Sequence, residues 1–212
     1  MFEDLLAISL SPHLRRRGRY LLHAFAAAPR TGPAAGRAAL ITGDIGAGKT
    51  TTGLALLHAG WQLLSNDSPI LNGGEQMQVL AYPGLLSAYP DTLARFTELA
   101  GLAADPAVRR KTLFAAEAVY RDVWLEAAPP GAILFPRIEA RAEHALERLA
   151  PPDALRQILP HAIEQWDRAA IPAHLALLNQ LVQSTPAYRL RLAPNTDTLP
   201  AVIEAALLGD HP

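Results

Sequence analysis

Residues 43–50 of this chain read Gly-Asp-Ile-Gly-Ala-Gly-Lys-Thr, and no other stretch restricts the possible folds as strongly. They fit G-x-x-x-x-G-K-[ST], the pattern of a loop that holds phosphate with its backbone N–H groups. The pattern requires a strand before the loop and a helix after it. Residues 38–42 form an apolar run typical of a buried strand, and residues 50–59 carry leucines on a helical face and precede Gly60. The flanks therefore favour a phosphate-binding loop over a glycine-rich turn that holds no ligand.

The motif assigns a role to each of its residues. The lysine of such a loop reaches the β- and γ-phosphates of a nucleotide, and the hydroxyl after it ligates Mg²⁺. These roles fall to Lys49 and Thr50, and the predicted cofactors are ATP and Mg²⁺. The predicted nucleotide-binding residues are Gly43, Asp44, Ile45, Gly46, Ala47, Gly48, Lys49, Thr50 and Thr51.

A site of this kind also needs an acidic side chain that holds Mg²⁺ or accepts the proton of the attacking nucleophile. Asp67 follows a strand predicted at residues 61–65, and ligand sites of α/β sheets lie at the carboxyl ends of their strands. Asp67 is therefore the best candidate for this acidic side chain. The alternative is an ordinary turn aspartate, because Asn-Asp-Ser-Pro is a good turn sequence.

The composition suits a globular protein and excludes several kinds of site. Of the 212 residues, 50% are hydrophobic and 18% are charged, which is enough for a sizeable core. The net charge of −1 gives no field that would attract nucleic acid or an anionic membrane. The absence of cysteine rules out disulfides, thiolate zinc sites and a cysteine nucleophile. The acidic N-terminus and the short apolar run at residues 5–10 do not resemble a signal peptide or a membrane span, so a cytoplasmic protein is expected.

Hydrophobic patterning predicts an α/β fold with a mixed sheet and a helical C-terminal part. Residues 1–19 are expected to form an N-terminal arm, and residues 20–212 a single domain. The predicted strands are residues 20–25, 38–42, 61–65, 132–135 and 186–192, together with the two arms of a hairpin around Asn72-Gly73. The first two are expected to pair as a hairpin, and Pro136 is expected to end the strand at residues 132–135. The predicted helices are residues 92–100 with Asp91 as N-cap, 154–166 with Asp153 as N-cap, 172–184 and 198–208.

Three stretches together resemble the HPr kinase/phosphorylase family and its shorter HPr-kinase-like relatives. They are His23, residues 40–50, and residues 59–67 with the sequence Ala-Gly-Trp-Gln-Leu-Leu-Ser-Asn-Asp. The resemblance implies a P-loop domain of the HPr-kinase/PEP-carboxykinase type. It also implies a serine kinase that transfers the γ-phosphate of ATP to a hydroxyl of a protein or peptide. Members of that family assemble into oligomers, so a homo-oligomer is an open expectation.

The resemblance places the family lysine at Lys49 and the second of two family aspartates at Asp67. The first aspartate position is Asn66 here, and an amide cannot accept a proton as a carboxylate does. Either Asp67 serves as base and metal ligand together, or phosphoryl transfer proceeds with a weak base, which a loose transition state tolerates. Asp67 is predicted as a metal ligand beside Thr50 and as the favoured base. His23 corresponds to the family histidine near the phosphate, with a hydrogen-bonded core histidine as the alternative.

Lys111 completes the predicted catalytic set of Asp67, Lys49, His23 and Lys111. It is the only lysine besides Lys49 and stands next to Arg110. It would supply charge to the transferring phosphate, or else belong to a solvated basic run. Two functional alternatives stay open. One is a nucleotide-binding accessory or regulatory module with weak or no catalysis, which Asn66 favours, and the other is a small-molecule P-loop kinase.

Overall fold

The computed structural model describes residues 2–103, 110–162 and 167–209, and it has a mixed α/β architecture. The elements up to residue 93 are α1 Phe2–Arg15, β1 Arg19–Leu21, β2 Ala24–Ala28, β3 Ala38–Thr42, α2 Lys49–His58, β4 Gln62–Ser65, β5 Ile70–Asn72, β6 Gln78–Leu80, β7 Leu86–Ala88 and α3 Pro90–Leu93. The later ones are β8 Thr112–Phe114, β9 Ala127–Ala128, β10 Pro130–Ile138, β11 Ala145–Leu149, α4 Pro151–Ile158, α5 Ile171–Ser184, β12 Ala187–Leu192 and α6 Leu199–Leu208. Short 3₁₀ turns lie at Ala100–Leu102, Ala116–Ala118 and Leu159–His161.

Six strands form the main sheet, in the order β11-β12-β10-β3-β2-β4. The strands β3, β4, β10 and β12 run in one direction, whereas β2 and β11 run in the other. All five residues of β3 are buried, as expected of a central strand that is covered on both faces. The predicted mixed sheet and the predicted pairing of β2 with β3 are confirmed.

Two hydrophobic cores lie on opposite faces of this sheet. On one face, Ile41 of β3 belongs to the same buried cluster as residues of α2 and α6. On the other face, Leu40 belongs to a cluster with residues of α4 and α5. Neighbouring residues of a strand point to opposite faces, which is why one strand serves both cores. The end of β3, and the loop that follows it, therefore emerge between two helical layers.

Two smaller sheets accompany the main one. The sheet β1-β5-β6-β9 is antiparallel and contains the predicted hairpin around Asn72-Gly73 as β5 and β6. The strands β7 and β8 form a separate antiparallel pair. The helix α1 occupies most of the segment expected as an arm, and its buried Arg15 lies 3.5 Å from Asp167. The division of the chain into an arm and one domain remains a prediction.

The expected single strand at residues 20–25 is wrong. The chain instead leaves one sheet at Leu21 and enters another at Ala24. Between them, the backbone N–H of His23 donates to the carbonyl oxygen of His161 at 2.8 Å, and the N–H of Ala24 donates to that of Asp67 at 3.1 Å. Apolar residues continue through the switch, with His23 the exception within residues 20–25, so sequence patterning does not reveal it.

The expectation that Pro136 ends its strand is also wrong, because β10 continues to Ile138. The backbone N–H of Ile133 donates toward β12, and successive N–H groups alternate in direction, so the nitrogen of Pro136 faces the β3 side. The pairing with β3 has already ended at Leu134. A proline fits there because the strand has no ladder bond to lose on that side.

Several helix boundaries differ from their predictions, and the strands β7, β8, β9 and β11 were not predicted. The predicted helix at residues 92–100 is only the single turn α3, and Tyr89 rather than Asp91 is its N-cap. The helix predicted from Asp153 to residue 166 ends at Ile158 and has Ala150 as N-cap, while residues 163–166 lie outside the described part. The edge strand β11 had no sequence signal, because Ala-Leu-Glu-Arg-Leu lacks strand alternation. Among the described helices, none combines the length and the apolar character needed to cross a membrane.

Candidate functional site

The loop Gly43–Gly48 joins β3 to α2 at the carboxyl edge of the main sheet. Gly46 and Gly48 have φ angles of 82° and 104°, a backbone region that other residues rarely adopt. A Cβ atom on Gly48 would also lie 2.6 Å from Cδ1 of Leu192, so the Leu192 side chain would have to shift. No described side chain caps the start of α2. The first N–H groups of this helix are therefore available to an anionic ligand.

The side chain of Lys49 bends back over the loop. Its Nζ donates hydrogen bonds to the carbonyl oxygens of Gly43 at 2.5 Å and Asp44 at 3.1 Å. Burial lowers the pKa of Lys49, the charges of Asp67 and Asp44 counteract this, and the charge of Lys111 lowers it further. An ammonium group is thus held at the mouth of the loop, with two carboxylates within electrostatic reach.

Asp67 lies just beyond the end of β4 and contacts His23. Its Oδ1 is 3.1 Å from Nδ1 of His23, and both side chains are about half exposed. His23 directly precedes β2, and the bond from the N–H of Ala24 to the carbonyl oxygen of Asp67 fixes the approach of the two residues. Asn66 points elsewhere, since its side-chain amide donates to the carbonyl oxygen of Leu85 at 3.2 Å.

The remaining predicted residues are near this centre. Thr50 and Thr51 lie in the first turn of α2, and both are partly buried. The Nζ of Lys111 is 5.6 Å from the ring centroid of Tyr89, and Lys111 is close enough for its charge to lower the pKa of Lys49. The structure thus brings Lys49, Asp67 and His23 together, with Lys111 within electrostatic range.

His161 belongs to the same site, and sequence reasoning missed it. Its Nε2 is 3.8 Å from Oδ1 of Asp44, and its ring centroid is 6.3 Å from that of His23. Burial lowers the pKa of His161, Asp44 counteracts this, and the charges of His23 and Lys49 lower it further. The neutral imidazole is therefore favoured. No sequence signal could have found it, since only the end of α4 brings this lone histidine to the loop.

A cleft of about 610 Å³ opens beside the loop. The loop, the end of β10 and the turn around His161 form its walls, and Arg137 and Arg189 line it. Arg189 is paired with Glu147 at 2.7 Å. The volume is in the range of small-molecule sites, and the only lining carboxylate among the described residues is Asp44. The cleft lies on the β10 side of the loop, whereas Asp67 lies on the β4 side.

The residues present fit a nucleotide with Mg²⁺. The glycine backbone, the uncapped start of α2 and the Lys49 ammonium suit phosphate oxygens. Mg²⁺ prefers oxygen ligands and is usually shared between one or two carboxylates and substrate phosphates. Thr50 and Asp67 supply a hydroxyl and a carboxylate of that kind. Within the described residues, no group of three or more His, Cys, Asp or Glu could hold a metal ion by itself.

Two comparisons of the sequence with known proteins find no match. No protein-family model matches the chain, and no curated protein matches it. Among solved structures, it is similar to the HPr(Ser) kinase/phosphatase from Coxiella burnetii, with 14% identity and a TM-score of 0.46. The match covers 89% of this chain and 88% of that one. A similarity at this level indicates at most a distant relationship of fold.

Proposed function

We propose that this chain is an ATP-dependent kinase that transfers the γ-phosphate of ATP to a hydroxyl, with a serine of a protein or peptide as the favoured acceptor. The observation that carries the proposal is the position of Asp67 beside the loop. Its carboxylate contacts His23 and acts electrostatically on Lys49, although 18 positions separate it from that lysine in the sequence. Phosphoryl transfer requires an acidic side chain beside the loop that holds Mg²⁺ or accepts the proton of the nucleophile, and Asp67 supplies one there.

In this proposal the loop and Lys49 bind and orient the triphosphate. The N–H groups at the start of α2 and the Lys49 ammonium stabilise the negative charge that develops on the phosphate oxygens. Lys49 now bonds to the carbonyl oxygens of Gly43 and Asp44 and would exchange them for phosphate oxygens. Mg²⁺, held by Thr50 and Asp67, would supply further neutralisation of phosphate charge.

Asp67 acts as the base. The acceptor hydroxyl oxygen forms a bond to the γ-phosphorus, the bond from that phosphorus to the ADP oxygen breaks, and the hydroxyl proton moves to the Asp67 carboxylate. His23 orients this carboxylate through its Nδ1 at 3.1 Å. Attacking and leaving oxygens are roughly in line. The acceptor is then expected on the Asp67 side of the loop, and the nucleoside diphosphate in the cleft on the β10 side.

A nucleotide-binding module with little or no catalysis is the second candidate, and Asn66 favours it. The resemblance expects a carboxylate at this position, whereas the Asn66 amide donates to the carbonyl oxygen of Leu85. A side chain with this structural bond has no base function. One carboxylate, that of Asp67, remains for both base and metal.

The test combines nucleotide binding with phosphoryl transfer from γ-labelled ATP to serine peptides. Lys49→Ala should weaken ATP binding and abolish labelling, because it removes the phosphate ligand. Asp67→Asn should leave ATP bound but reduce labelling by about 100-fold or more, the usual cost of losing a general base. Asp153→Asn, which replaces a half-exposed aspartate paired with Arg156, is the matched control and should behave like the wild type. If ATP binds in a Lys49-dependent way and no peptide is labelled, the binding module replaces the kinase.

A further inference from the structure

The small sheet β7–β8 has an unusual outward side. Its inward side chains Leu86, Ala88 and Phe114 are buried. In an antiparallel pair, directly opposed residues share a face, and Ser87 opposes Leu113. Both therefore point outward. Residues two positions away share the face of Ser87, which adds Leu85 and Tyr89 to the outward side.

The exposures agree with this geometry. Leu113 is 63% exposed, Tyr89 48% and Leu85 39%, so three large apolar side chains lie on one solvent-facing surface. A two-stranded sheet with one buried face normally presents polar side chains on the other. We call Leu85, Tyr89 and Leu113, together with Lys111 at their edge, the outer face of β7–β8. Contiguous exposed apolar groups with a charged edge are typical of a binding surface.

This outer face is joined directly to the candidate site. The carbonyl oxygen of Leu85 accepts the hydrogen bond from Asn66, the residue next to the proposed base. At the other end, Lys111 lies over the ring of Tyr89 and also acts on the pKa of Lys49. The connection through Asn66 is next to Asp67, where the acceptor hydroxyl is expected. Asn66 thus has a role that an aspartate could not fill, because a carboxylate cannot donate to a carbonyl oxygen.

We propose that the outer face of β7–β8 binds the acceptor peptide through apolar residues that flank its phosphorylated serine. The proposal rests on the proposed kinase function and names the substrate class. Apolar side chains of the peptide pack against Leu113, Tyr89 and Leu85, which brings the serine hydroxyl to Asp67. Lys111 lies at the edge of the bound peptide nearest to the transferring phosphate.

The test measures peptide binding separately from phosphorylation. Two pools of fluorescent peptides with a central serine are used, one with flanking Leu, Ile, Val and Phe, the other with flanking Ser, Thr, Asn and Gln. Binding is followed by anisotropy, with Mg²⁺ and a non-hydrolysable ATP analogue present. We expect the apolar pool to bind at least about tenfold more tightly than the polar pool, the effect of burying one or two apolar side chains.

Two variants identify the surface. Leu113→Ser should reduce the affinity for the apolar pool by about tenfold and leave ATP binding unchanged. Leu175→Ser, which replaces an exposed leucine on α5, is the matched control and should bind both pools as the wild type does.

Equal binding of the two pools by the wild type would overturn the proposal. So would a change of oligomeric state, rather than of peptide affinity, in Leu113→Ser, since the face would then join two copies of the chain. If the apolar pool binds through Leu113 but is never phosphorylated, the docking surface stands and the kinase function fails.

Discussion

Single residues of the loop fix its geometry, and Gly48 is the clearest of them. Its φ of 104° and the close approach of the Leu192 side chain are two independent reasons for glycine. Gly46 has only the first reason, since a Cβ there would meet nothing within 4 Å. These requirements could be read from the sequence, because the motif is local and its spacing encodes the turn.

Replacement of these glycines should therefore destabilise the fold in a graded way. We expect Gly46→Ala to lower the free energy of unfolding by about 1 kcal/mol, the cost of backbone strain alone. Gly48→Ala should lower it by about 2–3 kcal/mol, because the conflict with Leu192 adds to the strain. Urea denaturation measures both. Gly101→Ala, where the backbone has no positive φ and the added Cβ meets nothing within 4 Å, is the control and should lie near the wild type. Equal stability of all three variants would show that the loop does not hold this conformation.

Two other residues of the site show what the sequence could and could not reveal. Lys49 was identifiable from its motif alone. His161 was not, because its contact with Asp44 depends on where α4 ends relative to the loop. Asp67 is intermediate. Its position after a strand suggested a site residue, but only the structure brings it to 3.1 Å from His23.

Contacts between whole elements set the position of α2 against the sheet. Gly53 lies in the middle of this helix, and a Cβ on it would lie 2.5 Å from Cδ2 of the buried Phe25 on β2. The helix can approach the sheet closely only because this position has no side chain. The start of α2, with its free N–H groups, is thereby held at the edge of β3.

Gly53→Ala should consequently destabilise the protein, although alanine favours helices by about 1 kcal/mol over glycine. We expect a net loss of about 1–3 kcal/mol from the steric conflict with Phe25. The double variant Gly53→Ala/Phe25→Leu should be more stable than the sum of the single changes predicts, as thermal or urea unfolding would show. Additive effects in this cycle would mean that the helix and the strand are not in contact at these residues.

The contact of α5 with β1 carries a pH dependence. The buried His174 of α5 stacks on Tyr20 of β1, with ring centroids 4.3 Å apart. Burial, aided by the charge of Arg15, lowers the pKa of His174 to about 4. Between about pH 4 and 6.5 the unfolded chain binds a proton there and the folded one does not, so stability falls as the pH falls through this window.

His174→Phe keeps the stacked ring and removes the titration. The wild type should lose about 2–3 kcal/mol more than this variant when the pH is lowered from 7 to 4. Urea unfolding of both proteins at several pH values gives the comparison. The same loss in both would show that His174 does not contribute to acid sensitivity.

Over the whole molecule, the arrangement of strands decides which residues form the site. Most strands and helices of the main sheet were predicted from local patterning, whereas the order β11-β12-β10-β3-β2-β4 was not. That order places β2 between β3 and β4, so His23 at the start of β2 reaches Asp67 at the end of β4. Long-range pairing of this kind leaves no periodic pattern in a sequence. For the same reason, the sequence predicts one strand at residues 20–25, although the chain changes from one sheet to another at His23.

The central claim is that the loop Gly43–Gly48 and Lys49 form a nucleotide site. Calorimetric titration with ATP and Mg²⁺ tests it most directly, with Lys111→Ala, the only other lysine of the chain, as the matched control. We predict one ATP per chain for the wild type, nearly unchanged affinity for Lys111→Ala, and affinity about 10- to 100-fold weaker for Lys49→Ala, which loses charge-assisted hydrogen bonds to phosphate. No binding to the wild type, or equal binding to Lys49→Ala, would contradict the claim.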